Sequence, residues 1–295
     1  MRFPGIVPAV TTPFDASGEV DATALAANVR FLLDAGVHGI VGTGTMGEAG
    51  SLSPAERRLV METIADTVAG SGPVIAGVSA GTPAASIAFA ADAAEAGARA
   101  LMLLPPLGYR ADARELEHFY RSVAEAAGLP VMLYNNPEAS GVDLGPELIV
   151  RLAGAVEQIV AVKECSGDAR RIPALLGAAP ELEVLVGGDD WALEGFCAGA
   201  TGWVSGVADV APRECVALYE HCRAGELAEA RSVYQRLLPL SRFDMTPKLV
   251  QYFKAALDEF GLAGGPSRPP RLPLTDAELA DLRGSLAVLR EEVPA

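Results

Sequence analysis

The sequence predicts an α/β chain, a (β/α)8 barrel with a C-terminal helical extension. Three observations carry that reading. Eight short apolar runs recur along the chain, the first starting at residue 6 and the eighth at residue 202, a mean spacing of 28 residues. Several are continuous, such as Val131-Met132-Leu133 and Ile159-Val160-Ala161-Val162, as expected for parallel strands covered on both faces. Helix-start signals lie between them, which makes the repeating unit strand-then-helix. A doubly wound open sheet is the competing arrangement.

The expected strands are Ile6–Val10, Gly39–Val41, Val74–Val78, Ala100–Leu104, Pro130–Leu133, Ile159–Val162, Leu182–Val186 and Gly202–Val204. Ser53-Pro54-Ala55-Glu56 is a capping box with Pro at the first helical position. Thr82-Pro83 opens a helix that Gly97 can close, and Asp112 with Glu115 caps another that ends near Gly128. Beyond the eighth strand, helical patterns run from Pro212 to Arg223, Glu226 to Leu238 and Lys248 to Phe260. A Gly/Pro-rich link, residues 264–270, precedes a last helix over Asp276–Arg290. The expected division is a catalytic barrel over residues 1–210 and a helical extension over 211–295 packed on it.

Composition narrows the function. The 295 residues are 50% hydrophobic, enough for a large core. Net charge is −15, which argues against nucleic acid and anionic membrane as partners. Four cysteines without a C-x-x-C pair and three histidines speak against a metal site or a disulfide framework, and fit a reducing cytoplasm. The start, Met-Arg-Phe-Pro-Gly, is not a signal peptide, and no apolar run is long enough to span a membrane. Only three of the 23 basic residues are lysines: Lys163, Lys248 and Lys254.

In a (β/α)8 barrel the active site lies at the C-terminal ends of the strands. Strand six ends Val162-Lys163-Glu164-Cys165. Burial of Lys163 in a barrel mouth favours the neutral amine, a nucleophile that forms imines with carbonyl substrates. The plainer alternative is a lysine reaching solvent or pairing with a neighbouring carboxylate. Lys248 and Lys254, on an amphipathic helix, read as solvated surface. Strand five ends Tyr134-Asn135-Asn136-Pro137, where Tyr134 is either a proton shuttle or a core tyrosine.

Strand two runs into Gly42-Thr43-Gly44-Thr45-Met46-Gly47-Glu48, a turn able to present N–H groups to an anion. It also matches G-x-G-x-x-G. The dinucleotide reading fails on context, because the next helix starts only after Ser53 and the third strand ends Val78-Ser79-Ala80 without an acidic residue. Strand seven ends Gly187-Gly188-Asp189-Asp190, whose carboxylates would bind a substrate hydroxyl or cap the next helix. Trp191 and Trp203 read as packing residues.

Taken together, these strand ends resemble the dihydrodipicolinate synthase and N-acetylneuraminate lyase family of Schiff-base enzymes. The likeness spans essentially the whole chain. It rests on four ordered motifs: residues 7–14 (Val-Pro-Ala-Val-Thr-Thr-Pro-Phe), 44–48 (Gly-Thr-Met-Gly-Glu), 134–137 (Tyr-Asn-Asn-Pro) and 162–168 (Val-Lys-Glu-Cys-Ser-Gly-Asp). The resemblance implies that Lys163 forms an imine with a 2-oxo acid and that Tyr134 moves protons. It implies that the Thr45, Met46 and Gly47 turn holds the substrate carboxylate. Val204, Ser205 and Gly206 would line the pocket from strand eight, and Gly188 with Asp189 would face the distal part of the substrate. It implies no metal and no dissociable cofactor, only the covalent lysine imine, and a homo-oligomer, dimer or tetramer, with the apolar Leu103–Tyr109 loop at a subunit contact.

Three departures bear on the substrate. Met46 stands where the family usually has a second hydroxyl residue. Leu107 stands where dihydrodipicolinate synthase carries a tyrosine lent by a neighbouring subunit. Ala139 stands where that enzyme carries an arginine for the second substrate's carboxylate. The form Tyr134-Asn135-Asn136-Pro137, the missing arginine at Ala139 and the similarity of Lys248–Lys254 and Arg268–Pro273 lean toward a 1-pyrroline-4-hydroxy-2-carboxylate deaminase. Dihydrodipicolinate (4-hydroxy-tetrahydrodipicolinate) synthase and a sugar-acid aldolase or dehydratase are the alternatives. A non-catalytic 2-oxo acid binding protein is the reading from another class, and the presence of both Lys163 and Tyr134 opposes it.

Overall fold

The computed structural model describes residues 2–290; Met1 and the last five positions of the expected extension, 291–295, lie outside the described residues. The first half of the barrel runs β1 (Gly5–Pro8), α1 (Ala22–Asp34), β2 (Ile40–Gly42), α2 (Pro54–Val68), β3 (Val74–Gly77), α3 (Pro83–Glu95), β4 (Ala100–Leu103) and α4 (Ala113–Ala127). The second half runs β5 (Val131–Asn135), α5 (Pro137–Ser140), α6 (Pro146–Ala155), β6 (Ile159–Glu164), α7 (Arg171–Ala178), β7 (Glu183–Val186), α8 (Ala192–Cys197) and β8 (Gly202–Ser205). Four longer helices follow: α9 (Pro212–Ala224), α10 (Leu227–Ser241), α11 (Leu249–Glu259) and α12 (Asp276–Arg290).

The eight strands are parallel and follow one another in sequence order around the sheet, with β8 paired to β1. That order excludes the open doubly wound sheet, whose strand order reverses at a switch point. The seam between β1 and β2 is closed just past the strands, where Ala9 bridges Val41 and the Val10 N–H donates to the Val41 carbonyl at 3.0 Å. Strand residues are almost all buried because helices cover the sheet outside and side chains fill it inside.

Local signals set the helix starts. Ser53 accepts from the Glu56 N–H while the Glu56 carboxylate accepts from the Ser53 N–H; Asp112 and Glu115 repeat the arrangement at α4. Thr82 caps α3, and Gly97 follows its end at φ +96°. Strand ends differ from expectation where polar residues continue the ladder. β5 extends to Asn135 and β6 to Glu164, because Tyr134 pairs in register with Lys163 and Asn135 with Glu164. Lys163 and Tyr134 are therefore held by the sheet rather than by a loop.

The chain after β8 returns to the barrel. Helix α9 packs against β1 and α8. The segment joining α10 to α11 passes a short 3-10 turn, Arg242–Met245, that lies against the turn after β7. The Gly/Pro-rich link folds onto the strand-two turn. The Arg268 guanidinium donates to the carbonyls of Gly18 and Ser51 (2.7 Å), and its backbone N–H donates to Glu48 at 3.0 Å.

Candidate active site

At the C-terminal end of the strands lies a cavity of about 280 Å³. Lys163 and Tyr134 reach it from the barrel wall, Thr45 and Met46 from the strand-two turn, and Gly187 and Gly188 from the end of β7. Lys163 is 6% exposed, and its Nζ stands 4.3 Å from the centre of the Tyr134 ring. The Tyr134 hydroxyl accepts from the Asn136 amide at 3.1 Å. The neighbouring polar pair is tied off: Asn135 donates to Glu164 at 3.0 Å, and Glu164 accepts from the Ser166 N–H at 2.6 Å.

Burial pushes the Lys163 ammonium toward the neutral amine. The Tyr134 hydroxyl, the Cys165 thiol and the Asp244 and Asp189 carboxylates pull it the other way, and the net shift is upward. The direction is thus opposite to the one expected from burial alone and favours the ammonium. Burial raises the Tyr134 hydroxyl against the opposing pull of Lys163, so it rests protonated.

The strand-two turn is rigid. Thr43 and Glu48 flank it in the left-handed region, at φ +52° and +53°, which is costly for side-chain-bearing residues and persists only where surroundings enforce it. The Thr43 hydroxyl donates to the Gly77 carbonyl at 3.0 Å, and the Thr12 hydroxyl to the Gly47 carbonyl at 2.8 Å. The carbonyls of Gly44 and Thr45 are taken by the N–H groups of Ala49 and Glu48. Gly47 is itself buried in this turn, against the Val10 carbonyl.

Other expected residues sit elsewhere. Asp189 does not face the cavity. It is fully buried and accepts from Trp203 Nε1 at 2.9 Å, from the Gly206 N–H at 3.1 Å and from the Val207 N–H at 2.6 Å, so it fastens the end of β7 to the turn after β8. Neither the substrate-facing nor the helix-capping reading describes it. Of the run Val204-Ser205-Gly206, Gly206 lines the cavity, while Val204 and Ser205 are buried in β8. Lys254 is not solvated surface: it is 1% exposed, and its ammonium stands 2.8 Å from Glu48. Lys248 is half-buried and pairs with Glu278 at 2.5 Å. The site also takes residues that motif reading passed over: Asp244, Met245, Thr246 and Pro247 reach the cavity from the segment between α10 and α11, and Leu249 from the start of α11. An acidic residue between Phe243 and Met245 was the available signal.

Glu138 and Ala139 line the cavity at the start of α5. Leu107 and Tyr109 are 42% and 53% exposed, and Leu107 borders an adjoining chamber that shares Thr45 and Tyr134. Among the described residues no group of three or more His, Cys, Asp or Glu side chains is arranged to hold a metal. No helix among them is long and apolar enough to cross a membrane.

The model of the dihydrodipicolinate synthetase family matches residues 2–288. The chain belongs to that family. It is thereby a Schiff-base lyase of the aldolase type. Within the dihydrodipicolinate synthetase family it is 36% identical over 291 residues to the 4-hydroxy-tetrahydrodipicolinate synthase of Methanothrix thermoacetophila, covering 98% of each chain. It is 40% identical over 288 residues to the enzyme of that name from Kineococcus radiotolerans, covering 97% of this chain and 93% of the other. Its fold matches a prophage protein of the family from E. coli K12, solved in complex with pyruvate, with a TM-score of 0.93, 30% identity and coverage of 98% and 99%.

Proposed function

We propose that this lyase binds C2 of a small 2-oxo acid or cyclic imino acid to Lys163 as an imine, and that its substrate is 1-pyrroline-4-hydroxy-2-carboxylate. The observation that carries the choice is the charge of the cavity. Among the described residues Lys163 is the only cationic one lining it, while Asp244 and Glu138 contribute carboxylates. A condensing synthase must hold a second, carboxylate-bearing substrate beside the pyruvate adduct, and Ala139 offers it no charge. An acidic distal half suits a substrate that ends in a hydroxyl and an amine.

Lys163, once deprotonated, attacks C2 of the ring imine, and the ring nitrogen leaves C2 to remain on C5 as a primary amine. N–H groups of the turn from Thr45 to Gly47 hold the carboxylate despite the acidic surface. The iminium draws electrons from C3, Tyr134 relays the C3 proton, and the 4-hydroxyl leaves as water. A proton shift then turns the amine into an imine at C5. One water hydrolyses that imine and releases ammonia; a second frees Lys163 and the product 2-oxoglutarate semialdehyde. The net reaction consumes one water. The lysine imine is the electron sink, so neither a metal nor a dissociable cofactor enters.

A second reading, 4-hydroxy-tetrahydrodipicolinate synthase, is favoured by the names of the two relatives above. Parallel assays separate the two, one with 1-pyrroline-4-hydroxy-2-carboxylate and one with pyruvate and aspartate semialdehyde. Turnover in the first with little in the second is expected. Efficient condensation in the second and silence in the first would move the protein to the synthase reading. The proposal includes self-association through the segment bearing Leu107 and Tyr109, and a cytoplasmic setting.

A further inference from the structure

Two carboxylates, Asp244 and Glu138, line the cavity, and the reaction above gives neither a stated contact with the substrate. Asp244 lies on the turn Arg242–Met245, supplied by the extension rather than by any strand end. One of its oxygens, Oδ2, accepts the backbone N–H of Asp189 at 3.3 Å. The other, Oδ1, lies over Gly206: a methyl group there would stand 3.4 Å from it. The carboxylate is thus anchored on one side and set against a glycine that also lines the cavity. The neighbouring Asp189 cannot substitute, since its oxygens are taken by Trp203, Gly206 and Val207. Glu138 is exposed at the rim.

Asp244 also interacts electrostatically with Lys163, each favouring the charged form of the other. Burial nonetheless raises the Asp244 carboxyl to about 6, and the residue is half-buried beside the cavity. Such a group gains from a hydrogen-bond donor brought by the ligand and loses when an apolar group displaces its water.

We propose that Asp244 is a specificity-determining residue: it accepts a hydrogen bond from the hydroxyl on C4 of the lysine-bound substrate. This rests on the reading that Lys163 forms the imine at C2, and it sets the substrate class as 2-oxo or 2-imino acids hydroxylated two carbons beyond the imine carbon. The substrate carboxylate is held at the strand-two turn, and the chain beyond C2 extends toward β7 and β8, where Asp244 waits over Gly206.

The test compares two acids of the same length, 2-oxobutanoate and 2-oxo-4-hydroxybutanoate, as borohydride-trapped adducts of the intact protein. The readout is the ratio of their half-saturating concentrations, which cancels any change in the intrinsic reactivity of Lys163. In the unaltered protein the hydroxylated acid should saturate at a concentration about 10- to 100-fold lower, the range for one hydrogen bond to a charged group. D244A should bring the ratio to within about twofold, and D244N, which keeps an acceptor for the Asp189 N–H, should do the same while preserving the fold. Equal half-saturation of the two acids in the unaltered protein overturns the assignment, as does a preference that survives both variants. Failure of either acid to trap at all overturns the imine reading together with this one. Turnover of 1-pyrroline-4-hydroxy-2-carboxylate decides the substrate separately.

Discussion

The Lys254 ammonium stands 2.8 Å from the Glu48 carboxylate, and both side chains are buried. This pair joins α11 to the end of the strand-two turn. Glu48 also accepts from the backbone N–H of Arg268 at 3.0 Å and faces the Arg271 guanidinium at 3.4 Å. Lys254 donates to the Pro266 carbonyl at 2.7 Å and lies 4.3 Å from the centre of the Phe14 ring. A single buried carboxylate thus gathers the extension and the link onto the turn proposed to hold the substrate.

Replacing Glu48 with Gln leaves the Lys254 ammonium buried without its counter-charge. Breaking a buried pair from one side typically costs about 3–5 kcal/mol. The urea midpoint of E48Q should fall accordingly, and the half-saturating pyruvate concentration for adduct formation should rise, because the turn loses its anchor. A variant with unchanged stability and unchanged half-saturation would show that the pair does not position the turn.

Gly187 is a second sensitive point. A methyl group there would overlap the Cys165 sulfur and come within 2.7 Å of Lys163 Cγ. Gly187→Ala should therefore displace the lysine and slow imine formation by about 10²-fold, the scale seen for small misplacements of reacting groups. Cys165→Ala in the same chain should restore part of the rate by making room. Equal trapping rates in G187A and the unaltered protein would contradict the geometry.

Acid should weaken the link at Arg268. The Arg268 guanidinium, 3.1 Å from Glu56 Oε2, holds the Glu56 carboxyl down at about 2, below its ordinary 4.5. A lowered carboxylate contributes stability that is full above the unfolded value and is lost as pH falls through the folded one. The window is therefore between pH 4.5 and about 2. The shift corresponds to about 3 kcal/mol as an upper figure for a partly solvated pair. Denaturation profiles of E56Q should lack most of this acid-dependent loss while being less stable near neutrality; identical profiles would contradict it.

Much of this was legible in the sequence, for physical reasons that can be named. Buried parallel strands must be apolar on both faces, so their period was visible, and Ser53, Thr82 and Asp112 marked helix starts through chemistry local to each cap. Lys163 and Tyr134 were visible as polar residues ending apolar runs. What was hidden depended on long-range folding. Lys254 has the helical spacing of a surface residue, and only the return of α11 to the barrel brings it to Glu48, 206 positions earlier in the chain. Asp244 sits in a connection whose direction no local pattern sets. Asp189 was misread because the donors it serves, Trp203, Gly206 and Val207, belong to the next strand and its turn.

The central claim is that Lys163 is the nucleophile, with Tyr134 as the proton relay beside it, and one measurement tests it most directly. The protein is reduced with borohydride in the presence of pyruvate, digested, and the modified peptide mapped by mass spectrometry. The account predicts a single adduct on Lys163, formed faster as pH rises because the resting ammonium must lose its proton. It predicts none in Lys163→Arg, whose guanidinium stays protonated, and in Tyr134→Phe an adduct without catalytic turnover. An adduct on Lys248 or Lys254, or no adduct at all, would contradict it.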